Sequence, residues 1–265
     1  MIRVGVIGAA GRMGRMVCVA VSADPDLDLV VGIVRPGTEL APDLSDLPLS
    51  DSMEALRESG AEVAVDFTRP DAVMGNLRWA IANGIHMVVG TTGLSPDDLD
   101  EVERLLTQRE GGSNVVVAPN FAIGAVLMQR FAEQAARFFP SAEIVELHHE
   151  GKLDAPSGTA LATAERLARA RTEAWKGPAN ETVPGVRGGD VEGIRIHSVR
   201  LPGLVAHQEV IFGGTGQTLT IRHDSPQRES FMPGVILAVK AVGSRPGLTV
   251  GLEPILGLSP LDPKP

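Results

Sequence analysis

Tyrosine is absent from this chain of 265 residues, and phenylalanine and tryptophan are scarce, at 7 and 2. Single-stranded nucleic acids need stacking aromatics and duplexes need a basic surface. With 24 Lys plus Arg against 33 Asp plus Glu, the chain carries a formal net charge of −9 and offers neither, so no nucleic-acid partner is expected. The single cysteine, Cys18, excludes an internal disulfide framework and any cysteine-built zinc or iron–sulfur site. No apolar run approaches the ~18 residues of a membrane span. Met1-Ile2-Arg3-Val4 leads directly into a strand-like run, so neither a signal peptide nor a membrane partner is expected, and the cytoplasm is the expected setting. An acidic chain also repels anions at long range. Any phosphate or carboxylate ligand must be held by a few local groups, and the 30 glycines mark where to look.

Five short β-branched runs, at 2–8, 29–34, 63–67, 86–90 and 115–118, read as strands buried on both faces, the pattern of a parallel sheet. Helical patterns separate them. Val73, Leu77 and Ile81 share a face that Asn83-Gly84 terminates, and Ser95-Pro96-Asp97-Asp98 is an N-cap, a first-turn proline and two acids ahead of the stripe Leu99, Val102 and Leu106. This alternation predicts an α/β fold with a Rossmann-like, doubly wound parallel sheet. Beyond Phe121 the texture changes. Ile123, Leu127, Phe131, Ala135 and Phe138 predict a long helix, 142–147 a strand, and 158–171 a second helix with Leu161, Ala164 and Ala168 on its apolar face. A polar, Gly/Pro-rich stretch over 175–190 precedes alternating strands at Ile194 with Ile196, 205–212, and Leu219 with Ile221, the last two joined as a hairpin through Gly213-Gly214-Thr215-Gly216. This block predicts an α+β domain with a mixed open sheet. A buried helix is expected over 233–242.

Gly8-Ala9-Ala10-Gly11-Arg12-Met13-Gly14 follows the first strand and opens a helix that runs through Val21. Glycines there permit a tight turn and place a pyrophosphate on the free amides of a helix N-terminus. The turn needs glycine for its geometry as well, so its position on the first βα unit carries the reading. At the end of the second strand an acid would bond the 2′-hydroxyl of NAD, whereas arginine accommodates the 2′-phosphate of NADP. The acid is missing and Arg35 is available, which favours NADPH with NADH as a second donor. Gly90-Thr91-Thr92-Gly93 and Ala118-Pro119-Asn120-Phe121 close the fourth and fifth strands, beyond whose carboxyl ends a ligand lies in such sheets.

The densest chemistry is 146–160, ELHHEGKLDAPSGTA. Gly158-Thr159 begin a helix whose amides and hydroxyl suit a carboxylate, and His149 and Lys152 add positive charge. The alternative is that Ser157 or Thr159 only caps the helix beside surface histidines. Adjacent histidines on a strand point to opposite faces, so His148 and His149 chelate one ion poorly and differ in role if the strand persists that far. No metal is expected. Asp154 is read as ordering the loop rather than as a base. Arg228, in HDSPQRESF at 223–231, reaches either a substrate carboxylate or a hinge salt bridge, and His223 reads equally as a satisfied core histidine.

Six stretches, VGVIGAAGRMGR, VDFTRP, VVGTTG, APNFAIG, ELHHEGKLDAPSGTA and RHDSPQRESFMPG, run in order across nearly the whole chain. Together they closely resemble the 4-hydroxy-tetrahydrodipicolinate (dihydrodipicolinate) reductases of bacterial lysine and diaminopimelate synthesis. The resemblance implies a dinucleotide-binding domain formed by 1–121 and 229–265, with 122–228 as the substrate-binding and oligomerisation domain of a homotetramer. The implied reaction reduces a cyclic imine-type dicarboxylate to tetrahydrodipicolinate with NADH or NADPH, with loss of water from the hydroxylated substrate. By position, His148 becomes the proton donor or acceptor and Lys152 a proton donor, while His149, Gly158 and Thr159 hold carboxylates. Gly8, Ala9, Ala10, Gly11, Arg12, Met13, Arg35, Gly90, Thr91, Thr92, Ala118, Pro119, Asn120 and Phe121 become the cofactor contacts. Many relatives have an acid where Val34 stands, so a strong NADH preference is not expected. Lys152 is expected beside other cations in a partly dry pocket, with domain closure hinged near 120–123 and 225–230. Two other function classes are a non-catalytic NAD(P)H redox sensor of the same fold and a metal-dependent hydrolase.

Overall fold

The computed structural model of the chain describes residues 1–38, 47–108, 112–171, 175 and 180–258. Residues 1–121 with 231–258 form one compact unit and residues 122–230 a second.

The first unit is built on a seven-stranded sheet in which neighbouring strands pair in parallel. Its strands are β1 (Ile2–Ile7), β2 (Leu27–Ile33), β3 (Leu49–Ser50), β4 (Val63–Asp66), β5 (His86–Val89), β6 (Val115–Val117) and β12 (Leu248–Val250), in the order β12-β6-β5-β4-β1-β2-β3. The strand order reverses direction between β1 and β4, the switch point at which open α/β sheets bind ligands. Helices α1 (Arg12–Ala23), α2 (Glu54–Glu58), α3 (Pro70–Asn83), α4 (Pro96–Thr107) and α7 (Met232–Val242) accompany it. Val73, Leu77 and Ile81 are buried as the spacing predicted, and Gly84 ends α3 in the left-handed region. Ser95 and Asp98 form a reciprocal capping box at α4. The two-residue β3, the five-residue α2 and β12 were not read from the sequence; all are too short to show a period.

The second unit carries a five-stranded mixed sheet, β11-β10-β7-β9-β8, from β7 (Ser141–His148), β8 (Gly189–Val191), β9 (Ile194–Arg200), β10 (Ala206–Gly214) and β11 (Gln217–Ser225). Only β7 and β9 pair in parallel. The β10–β11 hairpin is present, with Gly213 and Gly214 inside the ladder and only Thr215-Gly216 turning. The polar stretch at 175–190 lies partly outside the described residues, and its end forms the start of β8.

The first helix of this unit corrects its expected apolar face, and the second extends it. On α5 (Ile123–Ala136) the buried residues are Ala125, Val126, Met128, Gln129, Ala132 and Ala136. Phe131 is 48% exposed, and Phe138, beyond the helix end, is 82% exposed. On α6 (Gly158–Arg169) Ala160, Thr163, Ala164 and Leu167 are buried, and Leu161 and Ala168 are partly buried against the same core. The core here is alanine-rich: Ala132, Ala136, Ala160 and Ala164 pack on Ile144, Val210 and Phe212. Small residues let the helices approach closely, so side-chain size is a poor guide to which stripe faces inward.

Candidate active site

In the first unit the chain leaves β1 through a turn tied to the end of β2, with the Gly8 and Ala9 amides donating to the Ile33 carbonyl at 2.9 and 3.0 Å. Gly11 is the N-cap of α1 and provides no side chain to satisfy the first-turn amides. Those amides are the donors an anion needs. Gly14 sits so close behind the turn that a Cβ there would overlap the Gly8 carbonyl. The same turn lines a pocket of about 470 Å³ with Gly8, Ala10, Gly11, Val34, Arg35 and Thr38 on one side and Phe67, Thr68, Arg69, Asp71 and Ala72 on the other. The pocket therefore spans the loops after β1 and β4, at the switch point. Thr38 bonds the Arg35 carbonyl through both its amide and its hydroxyl, at 3.2 and 2.6 Å, which fixes the turn that carries Arg35. Arg69 is paired with Asp71 in the first turn of α3, and Arg35 is exposed on the rim. First-turn amides, an arginine and a glycine cradle that a Cβ would fill are a donor set that fits a dinucleotide.

Ala9 is fully buried behind this turn, while Arg12 and Met13 occupy the first turn of α1. Gly90, Thr91 and Thr92 follow β5, and Ala118, Pro119, Asn120 and Phe121 follow β6, as the strand pattern predicted. They do not line the pocket just described. Gly90 has a steric reason beyond any ligand: a Cβ there would overlap the Phe67 ring, which packs 5.8 Å from the ring of Phe121. Asp66, which the sequence reading left without a role, is fully buried at the end of β4. It accepts bonds from the Thr68 amide and hydroxyl at 2.8 and 2.7 Å, from Thr91 at 3.1 Å and from Asn76 at 2.8 Å, and so joins the loops after β4 and β5.

In the second unit His148 is the last residue of β7, and His149 and Lys152 lie in the turn beyond it, with the Lys152 amide donating to the His149 carbonyl at 3.1 Å. Strand alternation therefore does not extend to His149. The Lys152 ammonium holds both oxygens of Asp154, at 2.8 and 2.9 Å, a carboxylate partner that stands beside the expected cationic surroundings. Asp154 in turn has its carboxyl held below the ordinary range, first by the Lys152 hydrogen bond. Ser157 caps α6 by accepting from the Ala160 amide at 3.2 Å. Gly158 is exposed with open space where a Cβ would stand, and Thr159 is partly buried beside it.

Behind this loop lies a buried polar layer. Glu146 is 0% exposed and shares the His148 face of β7. Its carboxylate meets His148 Nδ1 at 2.5 Å and accepts Arg200 Nη1 and Nη2 at 3.0 and 2.8 Å and the Ser157 amide at 3.3 Å. Burial opposes the charge, but the bonds from His148, Arg200 and Ser198 outweigh it and hold the Glu146 carboxyl at about 2. Arg200 Nη2 also donates to the Asp154 carbonyl at 2.6 Å. One strand over, Gln208 donates to Thr163 at 2.8 Å, and Thr163 donates to the Thr159 carbonyl at 2.7 Å. His223 is half-buried on β11, its ring close enough to Gly124 that a side chain there would collide. Arg228 begins a short 3-10 turn, Arg228–Phe231, and is partly buried. Among the described residues, no three His, Cys, Asp or Glu side chains are grouped to hold a metal ion, and no helix is long and apolar enough to cross a membrane.

Comparison with known proteins gives a concordant result. The sequence profiles "Dihydrodipicolinate reductase, N-terminus" and "Dihydrodipicolinate reductase, C-terminus" match residues 2–121 and 124–256. A 4-hydroxy-tetrahydrodipicolinate reductase of Nocardia farcinica is 54% identical over 261 residues, covering 97% of this chain and 99% of its own length. One from Corynebacterium aurimucosum is 54% identical with the same coverage. Among solved structures, a dipicolinate-bound dihydrodipicolinate reductase from Paenisporosarcina is 40% identical and superposes with a TM-score of 0.85, covering 96% of this chain and 99% of its own. The gentamicin-biosynthesis protein GenD2, solved with NAD, is 16% identical at a TM-score of 0.63 over 97% of this chain and 90% of its own, and shares the fold alone. The chain belongs to the dihydrodipicolinate reductase family.

Proposed function

We propose that this chain carries out the family's reaction, reduction of (hydroxy-)dihydrodipicolinate to tetrahydrodipicolinate, with NADPH as the favoured donor and NADH as a second. Residues 1–121 and 229–265 are assigned to the cofactor, and 122–228 to substrate and self-association. The observation that carries this reading is the loop from β7 to α6. Within it stand two histidines, a lysine and a helix N-terminus with Gly158 exposed, all backed by buried charge.

Bound NAD(P)H supplies the hydride. The chain's part is to hold both molecules and manage protons. The α1 amides and the turn from Gly8 to Met13 take the pyrophosphate, Arg35 takes the 2′-phosphate, and the loops at Gly90, Thr91, Thr92 and at Ala118, Pro119, Asn120, Phe121 flank the nicotinamide half. His149, Gly158 and Thr159 hold the substrate carboxylates. His148 and Lys152 deliver the proton that the electron-rich reduced ring requires. Arg35→Ala raises the Michaelis constant for NADPH by about tenfold or more, the worth of a hydrogen bond to a charged group, and changes that for NADH little. Steady-state kinetics with both donors measures this, and equal effects on the two would remove Arg35 from the 2′-phosphate site.

The second unit's sheet has helices α5 and α6 on one face. Its other face presents Glu143, Val145, Leu147, His207, Glu209 and Ile211, through which we assign self-association to a homotetramer. Light scattering should give four chains per particle; a stable monomer at assay concentration contradicts the assignment.

A further inference from the structure

We propose that Glu146 is a positioning residue for His148: it fixes the imidazole with the proton on Nδ1, leaves Nε2 as the atom that exchanges protons with substrate, and is itself locked by Arg200. The proposal rests on the reading of His148 as an acid–base group.

Glu146 and His148 are two apart on β7, so their side chains leave the same face of the sheet. A fully buried carboxylate accepts and does not donate, so the ring nitrogen 2.5 Å from it carries hydrogen. An imidazole whose Nδ1–H is held by a carboxylate presents Nε2 in one tautomer and one orientation. Further donors, two from Arg200, the Ser157 amide and Ser198, surround Glu146 and prevent it from turning away. Arg200 pairs with the same carboxylate and holds it in place beside His148. Arg200 comes from β9, whose register sets it directly beside His148 on β7. The same guanidinium reaches the carbonyl of Asp154, the residue whose side chain holds Lys152. The Glu146–Arg200 pair thus ties down His148, the Lys152 loop and the capped start of α6 together.

Two measurements test this. In wild-type protein labelled with ¹⁵N-histidine, His148 assigned by comparison with His148→Gln, long-range ¹H–¹⁵N spectra should show neutral His148 protonated at Nδ1 and bare at Nε2. The Nε2–H form would overturn the proposal, and this result needs no variant at Glu146. Glu146→Gln should lower kcat by about 10- to 100-fold, as loss of supporting partners typically does, with the dicarboxylate KM near wild type, and should shift neutral His148 towards Nε2–H. Unchanged kcat together with an unchanged tautomer would overturn the proposal. The underlying reading fails separately: if His148→Gln keeps turnover, His148 is not the acid–base group, whatever its tautomer.

Discussion

Lys152→Ala lowers turnover by about 10²- to 10⁴-fold, the range for a positioned proton donor, and leaves NADPH affinity nearly unchanged. The separation of these effects follows from placement. Lys152 lies in the turn after β7 in the second unit, whereas the pocket with Arg35 and the α1 amides lies in the first. Its ammonium is held by both oxygens of Asp154, so the loop presents an oriented donor. Alanine removes that donor and frees Asp154, which adds a negative charge beside the carboxylate site and compounds the loss. Steady-state turnover with cofactor titration by fluorescence measures both quantities. Substantial retained activity would remove Lys152 from proton delivery.

His148→Gln produces a loss of similar size, about 10²- to 10⁴-fold in kcat. Glutamine is the informative replacement because its amide keeps a donor within reach of Glu146. A buried carboxylate deprived of a donor is costly in itself, so alanine would mix a folding defect with a catalytic one. With glutamine the partner is retained and the exchangeable imidazole proton is lost. The far-ultraviolet circular dichroism and melting temperature should stay near wild type while turnover collapses. Near-normal turnover in a folded variant would exclude His148 as an acid or base.

The residues that made this site legible are those whose chemistry is local in sequence. Gly11 and Gly14 follow a strand directly and Ser95 precedes a proline and two acids, so turn, cap and helix start can be read within a few positions. The loop from His148 to Thr159 likewise carries its histidines, lysine and helix N-terminus in one run. Features that depend on distant strands were not legible. Arg200 reaches Glu146 only through β9 pairing with β7, 54 residues away in sequence. Glu146 itself had a signal, an acid two positions before a histidine on a strand, but nothing in the run showed that it is buried. Asp66 joins two loops through Thr91, 25 residues on, and stood in the sequence as an ordinary strand-end acid. The Lys152–Asp154 pair was not legible either, although the two are two residues apart, because only the turn brings the carboxylate back onto the ammonium. The exposed Phe131 shows the same limit for packing: periodicity located α5, while alanines determined its inward face.

The measurement that bears most directly on the assigned reaction is oxidation of NADPH, followed by the loss of its reduced-nicotinamide absorbance, with substrate generated in situ by a dihydrodipicolinate synthase because the compound is unstable. Purified chain should consume NADPH only when the synthase and its substrates are present, at a rate proportional to the chain added, with NADH a working second donor. Cofactor binding without any substrate-dependent oxidation would contradict the assignment and favour a non-catalytic NAD(P)H sensor of the same fold.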